Sequence, residues 1–140
     1  RNIAIEKSDL FNPKYNPNIE LVILPNSNED EMYIKKIAQR YSIKSIITFG
    51  NYEQDDYSIQ KIDKINNLLS SVTFKTPSTK IKFKTSTSIK HQIINILITF
   101  IIYDYNRLNI TNFLDKTNDI PSIEGRGLFN NIIICNNSVT

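Results

Sequence analysis

The length, composition and charge of this chain favour one folded domain and exclude several classes of protein. With 140 residues, 40% of them hydrophobic, the chain can bury about two-thirds of its unfolded surface, so we expect a packed core rather than disorder. The net charge of +3 is smaller than the basic footprint usual in nucleic-acid-binding domains, and a single cysteine excludes an internal disulfide. We expect residues 1–140 to form a single domain, which could also be a part excised from a longer chain.

Isoleucine and asparagine are unusually abundant in this sequence. There are 26 Ile and 18 Asn, which together make up nearly a third of the chain. The codon preference of an A/T-rich genome explains this bias more simply than a function does. Asparagine-based motifs therefore carry little weight here.

A sequence pattern typical of a short strand followed by a helix occurs twice within residues 19–70. The first strand is predicted over 19–24 and its helix over 29–41, whereas the second strand is predicted over 45–49 and its helix over 58–69. Because parallel strands need a crossover connection, we predict that the two strands pair in parallel, with the first helix crossing between them in the right-handed sense. This β-α-β-α start predicts an α/β or α+β fold with a sheet covered on one or both faces.

The rest of the chain is predicted to add a strand before this repeat and four further features after it. The predicted elements are a strand at 3–5, a β-hairpin with strands at 72–75 and 80–84, a buried central helix at 89–105, a loop-rich segment at 106–131 and a last strand at 132–135.

The central helix contains the strongest apolar run of the chain, residues 93–103. The run spans eleven residues, whereas a membrane-spanning helix needs about twenty, so we interpret it as a core element of a soluble protein. Ser86 or Ser88 could cap this helix. We expect Ile94, Leu97 and Ile101 to be almost wholly buried against the sheet formed by the first two strands.

Five acidic residues precede or begin the two helices predicted in the repeat: Glu29, Asp30, Glu31, Asp55 and Asp56. If the two strands are parallel neighbours, these carboxylates follow the edge where open α/β sheets bind ligands, and Mg²⁺ is a cation that carboxylates bind. The alternative is that the acids simply begin the helices, as the helix dipole favours. We favour the alternative and predict no metal site, because no spacing matches a metal-binding motif.

The loops after the two strands form the candidate ligand-binding site. Its residues are Asn26, Ser27, Asn28, Gly50 and Asn51. Backbone amides in these loops could bind a phosphate at a helix N-terminus. However, neither loop is a glycine-rich cradle and the neighbouring acids repel an anion, so we predict no cofactor.

The densest cluster of like charges in the sequence is a basic patch on and beside the predicted hairpin. Its residues are Lys75, Lys80, Lys82, Lys84 and Lys90. Such a patch could bind RNA or DNA, although lysines on exposed strands also protect a sheet edge from aggregation. We favour edge protection, because Phe74 and Phe83 should point inward and leave the lysine side without an aromatic ring for stacking.

The sequence gives weak support to catalysis. His91 and Cys135 are single occurrences, and nothing in the sequence brings them together or adds an orienting third group. We therefore predict no catalytic residues.

Our leading interpretation is a non-catalytic binding or assembly domain of a larger protein or complex, with a protein partner or self-association. The first alternative is a fragment of a nucleotide- or sugar-nucleotide-utilising enzyme. The second is an RNA- or DNA-associated protein that uses the lysine-rich hairpin.

Overall fold

The structure of this chain is a computed structural model, which describes residues 2–119 and 132–134. The chain divides into two compact units. Unit 1 comprises Arg1–Asp55 and Arg126–Thr140, and unit 2 comprises Asp56–Gly125.

The described residues form α-helices, two short 3₁₀ helices and β-strands. In chain order they are α1 (Asn2–Ser8), a 3₁₀ helix (Asp9–Phe11), β1 (Leu21–Pro25), α2 (Glu29–Arg40), β2 (Ser45–Gly50), β3 (Tyr57–Lys64), β4 (Ser70–Lys75), β5 (Lys80–Thr85), α3 (Lys90–Tyr105), α4 (Ile110–Lys116), a second 3₁₀ helix (Thr117–Asp119) and β6 (Ile132–Ile134). The α/β class is therefore confirmed.

Unit 1 contains three parallel strands with β1 in the middle. Leu21 of β1 lies opposite Ser45 of β2 on one side and opposite Ile132 of β6 on the other. Residues 21–24 are at most 1% exposed, which fits a central parallel strand that is covered on both faces and reads as a continuous apolar run. The predicted parallel pairing of the first two strands is confirmed, and the handedness of the crossover stays a prediction.

The core of unit 1 forms where two helices pack beside β1. Its buried residues are Ala4, Phe11, Val22, Leu24, Ile34 and Ala38. The helix predicted over 29–41 is confirmed as α2. The strand predicted at 3–5 is wrong, because this segment belongs to α1. Ala4 and Ser8 are both buried and lie four residues apart, which places them on one helical face, whereas Ile3 and Ile5 are exposed.

Unit 2 contains an antiparallel three-stranded sheet formed by β3, β4 and β5. The predicted hairpin is confirmed, with Val72 opposite Phe83 and a turn closed by the hydrogen bond that the amide of Thr76 donates to the carbonyl of Thr79, at 2.8 Å. Val72 and Phe74 are fully buried, as the strict alternation predicts.

The helix predicted over 58–69 is wrong, because most of this segment forms β3. A β-bulge shifts the register between Ile59 and Lys61, so that Ile59 lies opposite Phe74 and Ile62 lies opposite Val72. The extra residue brings two side chains three positions apart onto the same face. A spacing of three between apolar residues is also typical of a helix, and the helix prediction for this segment was wrong for that reason.

The predicted central helix is confirmed as α3, with one difference in its buried face. Leu97 and Ile101 are fully buried, but Ile94 is only half-buried. The ring of Phe100 packs edge-on against Tyr57 and Phe74, with centroid distances of 6.2 and 5.8 Å. The helix therefore covers the antiparallel strands of its own unit, and the predicted packing against the first two strands stays a prediction.

The start of α3 also differs from the prediction. Neither serine caps the helix, since the N-cap position is Ile89 and no side chain accepts a capping hydrogen bond there. Instead, Thr87 Oγ1 accepts a hydrogen bond from the amide of Ile89, at 3.1 Å. Among the described residues, no helix has both the length and the apolar character needed to cross a membrane.

Part of the segment predicted to be loop-rich forms α4 and the second 3₁₀ helix. Buried hydroxyl groups attach this part to the end of β5: Thr85 Oγ1 donates to the carbonyl of Thr117 at 3.0 Å, and Thr117 Oγ1 donates to the carbonyl of Lys84 at 3.2 Å. The remainder of the segment, residues 120–131, lies outside the described residues.

Truncation of Leu97 tests the core of unit 2. We expect Leu97→Ala to lower the free energy of unfolding by about 2–5 kcal/mol, because the variant loses transfer free energy and leaves a cavity in a packed helix. Chemical denaturation measures this change. Leu108→Ala is the matched control, since Leu108 is 52% exposed and its removal should cost little. Equal losses in the two variants would contradict the buried position of α3.

Candidate functional site

The predicted ligand-binding loops lie at one edge of unit 1. Pro25 at the end of β1 lies opposite Phe49 near the end of β2, so the loops that follow both strands leave the sheet at the same edge. All five predicted residues, Asn26, Ser27, Asn28, Gly50 and Asn51, belong to these loops or to the last position of β2. We call this region the carboxyl edge. Ligand binding there stays a prediction.

A buried carboxylate, that of Asp55, connects the two loops of the carboxyl edge. Asp55 is 1% exposed, and its Oδ1 accepts a hydrogen bond from Asn26 Nδ2 at 2.8 Å. Its Oδ2 accepts one from the amide of Tyr52 at 3.0 Å. The amide of Asn26 donates to the carbonyl of Phe49 at 3.1 Å, which holds the first loop against β2. Both loops are therefore fixed around one charge.

Gly50 is needed at the carboxyl edge because of this carboxylate. A Cβ atom at position 50 would lie 2.5 Å from Asp55 Oδ2, closer than real Cβ atoms come to a neighbouring atom. The backbone of Gly50 is not in the left-handed region. The glycine therefore provides space for a close approach rather than an unusual backbone conformation.

The first loop is closed by hydrogen bonds to the start of α2. Both the amide and the hydroxyl of Ser27 donate to Glu31 Oε2, at 2.5 and 2.6 Å. Asn28 Oδ1 in turn accepts from the amide of Glu31 at 2.9 Å, which makes Asn28 the N-cap of α2. The buried Glu31 carboxylate thus takes the Ser27 amide that a bound phosphate would need.

The acidic residues do not form a metal site within the described part of the chain. No group of three or more histidine, cysteine, aspartate or glutamate side chains there is arranged to hold a metal ion. Glu29 and Asp30 are exposed in the first turn of α2, where the dipole favours them. Glu31 and Asp55 are buried and accept hydrogen bonds from the loops. Sequence reasoning missed this role, and the only sequence signal for it is the polar character of the loops themselves.

The basic patch lies on the sheet of unit 2. Phe74 packs against α3, so the alternate residues of β4 and β5 point to the opposite side. The register places Lys75 opposite Lys80, Thr73 opposite Lys82, and Ser71 opposite Lys84. We call this side of the antiparallel sheet the lysine face.

Strand β3 adds residues to the lysine face that the sequence analysis missed. Because of the bulge, Lys61 lies opposite Thr73, while Ser58 lies opposite Lys75 and Asp63 opposite Ser71. Lys90 is exposed in the first turn of α3 and is not part of this face.

A buried tyrosine connects the start of β3 to the end of α3 in unit 2. Tyr57 is 5% exposed, and its hydroxyl donates a hydrogen bond to Asp104 Oδ2 at 2.5 Å. Burial, and then the bond to the Asp104 carboxylate and the charge of Asp56, raise the pKa of Tyr57 well above its ordinary value of 10.0. The pair is a structural link whose strength depends on a protonated tyrosine.

The structure does not test whether the single histidine and the single cysteine lie near each other. His91 is exposed in the first turn of α3. Cys135 lies outside the described residues.

The fold of the chain is similar to that of ligases whose names contain a UDP-N-acetylmuramoyl group. A UDP-N-acetylmuramoyl-L-alanyl-D-glutamate–2,6-diaminopimelate ligase superposes with a TM-score of 0.71 and 14% identity, over 88% of this chain and 25% of that one. A UDP-N-acetylmuramoylalanyl-D-glutamyl-2,6-diaminopimelate–D-alanyl-D-alanyl ligase from Acinetobacter baumannii gives 0.66 and 14%, over 89% and 26%. MurF from the same organism gives 0.64 and 13%, over 85% and 24%.

These similarities show the fold alone. The chain spans about a quarter of the length of the ligases that it matches. No protein-family model and no curated protein matches the sequence.

A double-mutant cycle tests the close approach of Gly50 and Asp55. We expect Gly50→Ala to destabilise unit 1 by about 1–3 kcal/mol, because the new methyl group displaces the buried carboxylate. In an Asp55→Ala background the same change should cost less than about 0.5 kcal/mol, since the carboxylate is gone and the backbone accepts alanine. Urea denaturation of the four proteins measures the coupling. Additive losses would contradict the contact.

The pH dependence of stability tests the buried tyrosine. The raised pKa of Tyr57 means that the unfolded chain loses this proton first as the pH rises. The stabilisation is therefore complete below about pH 10 and is lost above it. Relative to Tyr57→Phe, the parent should lose up to about 1.4 kcal/mol of unfolding free energy per pH unit above pH 10. Denaturation of both proteins between pH 7 and 11 checks this, because the other titrating groups are common to both. Parallel pH profiles would contradict the link.

Proposed function

We propose that this chain is part of an enzyme that acts on a nucleotide-linked sugar, and that its own contribution is to bind that ligand. The observation that carries the proposal is the shared fold, which covers 88% of the chain at a TM-score of 0.71. The names of the matched ligases contain a UDP-linked sugar, so they belong to the class of the first alternative from the sequence. A role as a non-catalytic assembly domain stays a prediction.

The carboxyl edge supports this proposal by its position. In open α/β sheets, ligands bind outside the carboxyl ends of the parallel strands. In unit 1 this edge is formed by the ends of β1 and β2, and the hydrogen bonds of Asp55 hold its two loops in one conformation. A rigid edge lowers the entropic cost of binding a ligand.

The exposed groups of the carboxyl edge suit the uncharged part of such a ligand. Ser27, Asn28 and Asn51 are exposed and offer neutral hydrogen-bonding groups, and the ring of Tyr52 is 48% exposed. Neutral amides and hydroxyls both donate and accept, as sugar hydroxyl groups do. A phosphate is less suited to this edge, because the Ser27 amide already donates to the Glu31 carboxylate.

Titration of the full chain with a nucleotide-linked sugar tests the proposal. We expect UDP-N-acetylmuramoyl-L-alanyl-D-glutamate to shift the backbone NMR signals of Ser27, Asn51 and Tyr52 in a saturable way. Asn51→Ala should weaken this binding by about threefold to tenfold, since one hydrogen-bonding side chain is lost.

Gln39→Ala is the matched control, because Gln39 is an exposed amide near the other end of α2. It should leave the affinity unchanged. Absence of saturable shifts at millimolar ligand would contradict the proposal and would favour the assembly interpretation.

A further inference from the structure

Strand β5 is the outermost strand of the antiparallel sheet in unit 2. It pairs with β4 through an unbroken register, and no other described strand pairs with it. In an antiparallel pair, the backbone groups of successive residues point alternately toward the partner strand and away from it. Every second residue of β5 therefore presents its amide and its carbonyl to the outer side of the sheet.

The turn of the hairpin identifies these outward-facing residues. The amide of Thr76 donates a hydrogen bond to the carbonyl of Thr79 at 2.8 Å, which makes these two residues a hydrogen-bonded pair. Because hydrogen-bonded and non-hydrogen-bonded pairs alternate along the ladder, the next residue of β5 faces away from β4. Outward-facing backbone groups are therefore those of Lys80, Lys82 and Lys84.

The other end of β5 gives the same assignment independently. The carbonyl of Lys84 accepts a hydrogen bond from Thr117 Oγ1 at 3.2 Å, and the amide of Ser86 donates to the carbonyl of Thr117 at 3.4 Å. Thr117 thus pairs with the outer side of β5 at this end. Among the described residues, the backbone of Lys82 has no such outer partner, and the carbonyl of Lys80 has only a long contact with the hydroxyl of its neighbour in the turn, at 3.5 Å.

The side chains of the outward-facing residues make this edge positive. Lys80, Lys82 and Lys84 are exposed, and none of them forms an ion pair within the described residues. The sequence contains no aspartate or glutamate within 64–103. Ile81 alternates with these lysines and is half-buried on the opposite face. The edge therefore offers positive charge on one face and an apolar side chain on the other.

We propose that β5 binds an extended segment of a partner protein as an added strand, and that this segment alternates acidic and apolar residues. In this mode of recognition, main-chain hydrogen bonds give affinity and alternate side chains give specificity. The acidic residues of the segment lie beside Lys80 and Lys82, and its apolar residues lie beside Ile81. This inference concerns unit 2 and does not rest on the function proposed above.

The charge of the edge selects this occupant over two others. Pairing of β5 with the β5 of a second copy would place lysines opposite lysines, and like charges opposite each other destabilise a sheet. The lysines thus protect the edge from self-pairing and leave it open to a strand of opposite charge. A single-stranded nucleic acid relies on exposed aromatic rings for stacking, whereas Phe83 of this strand is buried.

Hydrogen exchange in the full chain tests the open edge. In the free protein, the amides of Lys80 and Lys82 should exchange fast, whereas those of Ile81 and Phe83, which face β4, should be protected. A synthetic peptide of alternating glutamate and valine residues should slow exchange at the two lysine amides by about tenfold near saturation. Protection of both lysine amides in the free protein would overturn the inference, because the edge would already be covered.

Backbone methylation of the peptide separates strand addition from simple attraction between charges. Two peptides of this sequence, methylated on the amides of either the glutamates or the valines, keep the same charge but differ in which edge of the strand can donate hydrogen bonds. One of them should lose about tenfold or more in affinity, and the other should retain binding. Equal affinity of the two peptides would overturn the inference.

Charge reversal on β5 tests the specificity. Lys80→Glu combined with Lys82→Glu should weaken binding of the glutamate–valine peptide by about tenfold and create binding of a lysine–valine peptide. Protected amides of Ile81 and Phe83 would verify that this variant keeps its hairpin. An unchanged affinity for the glutamate–valine peptide would overturn the inference.

Lys36→Glu combined with Lys44→Glu is the matched control, because both lysines are exposed in unit 1. It should leave the affinity for the glutamate–valine peptide unchanged. Absence of peptide binding at millimolar concentration and low salt would overturn the inference. Tighter binding of duplex RNA than of the peptide, with an affinity that falls steeply as salt rises, would overturn the assignment to a protein partner.

Discussion

The buried carboxylate of Asp55 is the constraint on which the carboxyl edge depends. A carboxylate that is 1% exposed is stable in a folded protein only if its oxygens are paired. Here the side chain of Asn26 and the amide of Tyr52 provide that pairing, and Gly50 leaves the space that the carboxylate occupies. The two loops after β1 and β2 consequently share one partner, and neither can move far without leaving a buried charge without its hydrogen bonds.

The two units differ in which charged side chains they bury and which they expose. In unit 1, Glu31 and Asp55 are buried, and their oxygens accept hydrogen bonds from groups that loops often present to ligands. The exposed side chains of Ser27, Asn28 and Asn51 at this edge are neutral, whereas Glu29 and Asp30 are exposed at the start of α2. In unit 2, Lys61, Lys80, Lys82 and Lys84 lie exposed on one side of the antiparallel sheet. The loops of the first surface therefore present neutral hydroxyl and amide groups, and the second surface presents ammonium groups.

Much of the fold could be predicted from local sequence patterns, because those patterns follow directly from burial. The continuous apolar run of β1 indicates a covered parallel strand, and the strict alternation in β4 and β5 indicates a hairpin. The prediction failed where spacing was ambiguous. The bulge at Ile59 and Lys61 gave β3 the apolar spacing of a helix. At Ile3 and Ile5, two exposed residues of α1 imitated a strand.

The position of the candidate site could be predicted from the sequence, but the contacts between its residues could not. The parallel pairing alone brings Asn26 and Gly50 to one edge, so their position followed from the sequence. The buried contact of Asp55 with Gly50, and the use of the Ser27 amide by Glu31, depend on distances that no local pattern contains. Lys61 was missed because its place on the lysine face depends on the bulge.

Hydrogen exchange at the Tyr52 amide tests the central claim most directly, since this amide donates to the Asp55 carboxylate. The account predicts slow exchange in the parent, although the loop is at the surface, and fast exchange in Asp55→Ala while the amides of β1 keep their protection. Fast exchange of the Tyr52 amide in the parent, or unchanged protection after Asp55→Ala, would contradict the claim that this buried charge organises the carboxyl edge.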